Sequence, residues 1–197
     1  MYAGRLGAAL AAFLLAVGVA AHALDELNGR PLRTRLSDRA LIALAATALT
    51  AAVGIGVAGA ITVSPLLIPL VAAGAFITLA YNLELCGGRF HSDAWFALAW
   101  GGFPAFTGYF VNALEVRPAG LLVAAACCLL SVAQRRLSTP ARELRRRTAA
   151  VTGTQRLTSG ETRELTAARL AAPLEGALRA LCLALVILAV GLVAVRV

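Results

Sequence analysis

The chain has 197 residues, 60% of them hydrophobic and 14% charged, with a mean hydropathy of +0.81. A soluble domain holds about 45–50% apolar and about 25% charged residues, and a chain this short has too little interior to hide the excess, so a water-soluble fold is excluded. Disorder and collagen-like fibres are excluded with it, since both need a polar bias or a strict Gly period, and the formal net charge of +8 sits on 18 basic residues that are all Arg.

A hydrocarbon core about 30 Å thick takes about 20 helical residues to cross. Six apolar runs predict an all-α, polytopic membrane bundle: Leu6 to Leu24, Arg39 to Gly59, Leu66 to Leu85 after a Ser64-Pro65 turn, Ala94 to Phe110, Pro118 to Gln134, and Leu174 to Val195. Residues 1–134 then form a five-helix bundle, 135–172 an Arg-rich loop, and 173–197 a last transmembrane helix.

The first run ends in His22-Ala23-Leu24-Asp25-Glu26-Leu27-Asn28-Gly29-Arg30-Pro31. At 3.6 residues per turn His22, Asp25, Glu26 and Gly29 share one stripe, and Pro31 stops the helix. Arg30, Arg33, Arg35 and Arg39 follow, while the turn between the second and third runs carries no charge. The positive-inside rule therefore puts the first, third and fifth loops in the cytoplasm and both termini outside. Cleavage after Ala21-His22-Ala23, which fits a signal-peptide template, would invert the Arg-rich loops and is rejected on that ground.

A second polar cluster, Tyr81-Asn82-Leu83-Glu84 through Arg89-Phe90-His91-Ser92-Asp93, follows the third run on the same side. Carboxylates facing Arg at a membrane boundary are the ingredients of a Mg²⁺ and diphosphate site. The plainer reading is a rim of loop ion pairs, since ionisable groups at helix ends are ordinary. The fourth run is broken by Gly101, Gly102, Pro104 and Gly108, which is tolerated where neighbours satisfy the freed backbone. Cys86, Cys127, Cys128 and Cys182 show no C-x-x-C spacing and read as core-filling residues.

These two clusters and the runs around them, about Leu6 to Gln134, resemble the UbiA-type intramembrane prenyltransferases. The segment Ala21 to Pro31 is similar to that family's first acidic motif, and Tyr81 to Tyr109, with Arg89 and the Gly-rich stretch Trp100-Gly101-Gly102-Phe103-Pro104, to its connection between fourth and fifth helices. The resemblance implies a bundle whose cavity opens to the cytoplasm of the inner (plasma) membrane, where Mg²⁺ holds an isoprenyl diphosphate and a prenyl group passes to an aromatic or lipid acceptor. It implies Asp25 and Glu26 as metal ligands, His22 and Asp25 as catalytic, and Arg30, Tyr81, Asn82 and Arg89 as diphosphate-binding. The sequence departs from the motif, with His22 and Gly29 where the outer two acids belong. No Asp follows Asp93, and the length falls about three helices short of the family, as in a shortened member.

Between Arg135 and Arg169 lie nine Arg and three Glu. Thr139-Pro140 predicts the start of one short helix and Thr158-Ser159-Gly160-Glu161 a capping box for another. Leu137, Leu144 and Val151 give a thin apolar seam under an Arg-rich face suited to anionic lipid, with Arg142 and Arg145 to Arg147 able to meet a lipid diphosphate. No aromatic residue lies in this stretch, so no nucleic-acid partner is expected. Two functions stand against each other: prenyl transfer, and a non-catalytic bundle that binds lipid or serves a membrane protein partner as subunit or scaffold. A transporter is a weaker third, because no internal repeat or deep charge pair accompanies the broken fourth run.

Overall fold

A computed structural model describes residues 2–195 and divides the chain into two compact units, residues 1–131 and 132–197. Among the described residues five helices are long and apolar enough to cross a membrane, and the chain is an all-α membrane protein in its main elements. Helix α1 (Ala3–Leu27) is continuous but carries a π-helical stretch over Leu14–Ala21. Helix α2 (Asp38–Thr62) starts at Ser37, whose hydroxyl accepts a hydrogen bond from the Ala40 amide at 3.2 Å. Its 25 residues extend about 37 Å, more than a bilayer core requires. A 3₁₀ turn at Pro65–Leu67 leads into α3 (Ile68–Asn82).

The fourth expected span is helical over residues 93–113, here α4, but a π turn at Leu98–Gly102 divides it and it is not among the five membrane-length apolar helices. Trp95, Trp100, Tyr109, Pro104 and three glycines dilute its hydropathy. Helix α5 (Pro118–Arg146) follows, and α6 (Ala167–Ala194) closes the described chain. Val197, the expected outer terminus, lies outside the described residues.

Small residues let the helices of the first unit approach. Leu41, Ala45, Ala48 and Ala52 recur on one stripe of α2 and are all buried, the spacing that brings helix backbones together in lipid. Ala23 and Leu24 of α1 pack against Leu41 and Ala45, with Leu27 and Leu79 beside them. At Gly101 an added Cβ would lie 2.6 Å from the Cys127 carbonyl of α5, so α4 and α5 touch through backbone there.

Residues 135–172 differ from expectation. Thr139-Pro140 does not start a short helix: α5 runs unbroken through Pro140 to Arg146, the ring costing one backbone bond that the rest of a long helix absorbs. Thr158 to Glu161 is no capping box but the turn of a hairpin. There β1 (Thr154–Arg156) pairs antiparallel with β2 (Thr162–Glu164), and the Leu157 amide donates to the Glu161 carbonyl at 2.8 Å. Gly160, at φ +87°, supplies the left-handed step. Arg163 beside Glu161 holds that carboxyl below the ordinary carboxylate range. Of the expected seam, Leu137 and Leu144 lie on α5 and Val151 beyond its end. Arg145 makes a bidentate pair with Glu175 of α6 at 2.7 and 2.8 Å, so within the second unit its guanidinium is committed.

Candidate functional site

Four helices of the first unit share one polarity pattern. Their polar ends meet where α1 finishes, α2 starts, α3 finishes and α4 starts; His22, Asp25 and Glu26 lie in the last turns of α1, Tyr81 and Asn82 end α3, and Arg30 and Arg89 lie in the two loops. Of five non-glycine residues at positive φ among the described residues, Arg30, Arg33, Glu84 and Cys86 lie in those two loops. Such conformations cost about 1–3 kcal/mol each and collect at sites under constraint.

The structure separates the predicted residues into three groups. Glu26 and Arg30 build the first loop. Glu26 is buried, at 1% exposure, and accepts hydrogen bonds from the amides of Leu32 and Thr34 at 2.8 and 2.6 Å and from the Thr34 hydroxyl at 2.9 Å. Arg30 donates to the Leu36 carbonyl at 2.7 Å and pairs with Asp38. Both carboxylate oxygens of Glu26 and two nitrogens of the Arg30 fork are thus engaged within the loop.

Tyr81 and Asn82 shape the floor. Asn82 is buried and donates from Nδ2 to the Thr78 carbonyl at 2.7 Å. Tyr81 stacks on His91 with ring centroids 4.5 Å apart, meets Trp100 edge-on at 5.5 Å, and its carbonyl lies 3.1 Å from His91 Nδ1.

Asp25, the one acid of the motif left over, lies within electrostatic reach of His22, His91 and Glu84. His91 and Glu84 approach to 3.9 Å. His22 and Arg89 are exposed. His91 and Glu84 join Asp25 here although spacing alone did not single them out. The signal for His91 was Ser92, whose hydroxyl caps α4 by accepting from the Trp95 amide at 3.3 Å and so fixes the residue before it against Tyr81. Among the described residues no three His, Cys, Asp or Glu side chains group to hold a metal ion.

A cavity of about 480 Å³ occupies the other half of the bundle. It is lined by α1 from Gly4 to Ala16, α2 from Leu49 to Val63, α3 and the turn before it from Leu67 to Ala75, and α4 at Phe103, Thr107 and Val111. Every helix contributes the half remote from the polar loops. The resemblance implied the opposite, a cavity open at the acidic end. The difference has a packing cause: Ala23, Leu24, Leu41 and Ala45 with Leu27 and Leu79 fill the axis between cavity and loops.

The cavity wall is aliphatic and aromatic except for Arg5, Thr62 and Thr107. Thr62 returns its hydroxyl to the Ala58 carbonyl at 2.7 Å. Arg5 donates to the Val111 carbonyl at 3.4 Å and lies over the Tyr2 ring at 4.1 Å. The Thr107 hydroxyl oxygen is buried without a hydrogen-bond partner among the described residues.

The long apolar helices mark the chain as a helical membrane protein, and the cavity between four of its helices is apolar. No protein family matches the chain, no curated protein is significantly similar to it, and no solved structure matches it.

Proposed function

We propose that this chain is a UbiA-like, non-catalytic lipid binder of the inner (plasma) membrane, which holds a hydrocarbon chain in the cavity of its first unit. The cavity carries this reading. At about 480 Å³ it falls within the range of about 300–1,000 Å³ typical of small-molecule sites, and such sites are mostly apolar with a few placed polar groups. Apolar burial at about 25 cal/mol per Å² favours a hydrocarbon occupant over water. The Arg-rich loops face the cytoplasm in this reading, so the cavity lies in the outer half of the bilayer.

The test is lipid analysis of the purified protein. One lipid species should be enriched well above its share of the surrounding membrane, and Ala12→Phe or Gly59→Leu, which fill the chamber, should remove the enrichment. Identical lipid profiles in all three proteins would end the proposal.

A second reading, prenyl transfer from an isoprenyl diphosphate, is favoured by one observation, the convergence of Asp25 with His22, His91 and Glu84 at the strained polar end. It predicts release of diphosphate from an isoprenyl donor that Asp25→Asn and Arg89→Ala abolish. Turnover that is absent, or unchanged in both variants, removes it.

A further inference from the structure

Resting on the cavity reading, we infer that the occupant is a single-chain lipid with an anionic oxygen head, and that the head binds Arg5 at the end of the chamber remote from the acidic loops. One polar group of the lining is placed for a ligand and is not used up by the fold, the Arg5 guanidinium. It is half-buried, leans on the Tyr2 ring, and makes a single long bond to the Val111 carbonyl. Five donors in a planar fork leave several directions open for carboxylate or phosphate oxygens.

The lining threonines do not compete for the head. Thr62 returns its hydroxyl to the Ala58 carbonyl of its own helix at 2.7 Å, and the Thr107 hydroxyl oxygen is buried away from the cavity surface, so among the described residues Arg5 is the charged anchor of the lining.

The rest of the lining offers an anion nothing polar, so one hydrocarbon chain fits below one head. Charge selects the head: a cation would face Arg5, and a neutral alcohol would leave the guanidinium without its counter-ion.

The experiment uses the full chain in phosphatidylcholine nanodiscs, with labelled palmitate, hexadecyl phosphate and hexadecanol at alkaline pH, where the acid is ionised. At least one anion should bind about tenfold or more tighter than the alcohol, since a bond to a charged group outweighs a neutral one. The tighter of the two anions identifies the head as carboxylate or phosphate. Arg5→Gln should bring that anion down to the level of the alcohol, Arg5→Lys should keep part of the preference, and Thr107→Val should leave the preference for the anion in place. Equal binding of the three probes by the unaltered protein, or a preference that survives Arg5→Gln, would overturn the head site while leaving the chamber intact. No binding of any probe, together with no effect of Ala12→Phe, would overturn the chamber itself.

Discussion

Thr107 and Thr78 carry the same hydroxyl on neighbouring helices, and only Thr78 spends it on its own backbone. Replacing each by Val should therefore give opposite signs in the protein emptied of lipid. Thr107→Val removes an unpaired buried group and should stabilise by about 1 kcal/mol, whereas Thr78→Val removes a made bond and should destabilise by a similar amount. Unfolding midpoints in detergent check this, and equal signs would contradict it. Glu26→Gln belongs to the same scale. The amide would turn one N–H pair toward the Leu32 or Thr34 donor, so the midpoint should fall by several degrees, and Gln should be worse than Glu at every magnesium concentration. A midpoint of the unaltered protein that rises with Mg²⁺ and no longer does so in Glu26→Gln would make Glu26 a metal ligand.

The stripe of His22, Asp25 and Glu26 was legible because helical period alone puts them on one face. What Glu26 does was not legible, because its three donors come from a loop whose path depends on Arg30 and Arg33 in left-handed conformations. No propensity rule places Arg there.

At the scale of elements, glycines make the argument sharpest. An Ala side chain at Gly101 would press its Cβ against the Cys127 carbonyl at 2.6 Å, while at Gly108 nothing lies within 4 Å. Gly101→Ala should cost about 1–3 kcal/mol by forcing α4 from α5, and Gly108→Ala should gain about 0.5–1 kcal/mol from helix propensity. Thermal unfolding of the pair, measured side by side, distinguishes a packed contact from mere tolerance of glycine.

The hairpin carries a pH dependence. The folded Glu161 carboxyl sits below its ordinary range beside Arg163, so its contribution is present above that range and is lost as pH falls through it. Protection of the Leu157 amide, which donates to Glu161, should drop on acidification, and Glu161→Gln should show the low-pH value throughout.

Hydropathy located α1, α2, α3, α5 and α6, because a bilayer asks only for length and apolarity. The hairpin escaped it since β1 and β2 are three residues each, polar on both faces, with no alternation to read. The extension of α5 escaped it for another reason. Thr139-Pro140 is a good helix start locally, but a long helix already under way outweighs one missing amide.

For the whole molecule, orientation and chamber are separate claims. Orientation rests on Arg asymmetry, and reporter fusions should be active as cytoplasmic proteins between Arg147 and Gly153 and as exported ones at Ser64; the reverse pattern would invert the protein. The chamber was not legible at all. Its walls are alanines, glycines and branched residues from α1 to α4 that look like any other span, and only the packing of Leu41 and Ala45 against Ala23 and Leu24 decides which half of the bundle is filled and which is empty.

Photo-crosslinking tests the central claim directly. Palmitate bearing a diazirine near its methyl end, offered to the purified full chain in nanodiscs, should label peptides containing Ala9 to Ala16 and Leu49 to Gly59, with the label lost in Ala12→Phe. Label confined to the outward faces of α5 and α6, and unchanged in Ala12→Phe, would show that the chamber does not hold a lipid chain.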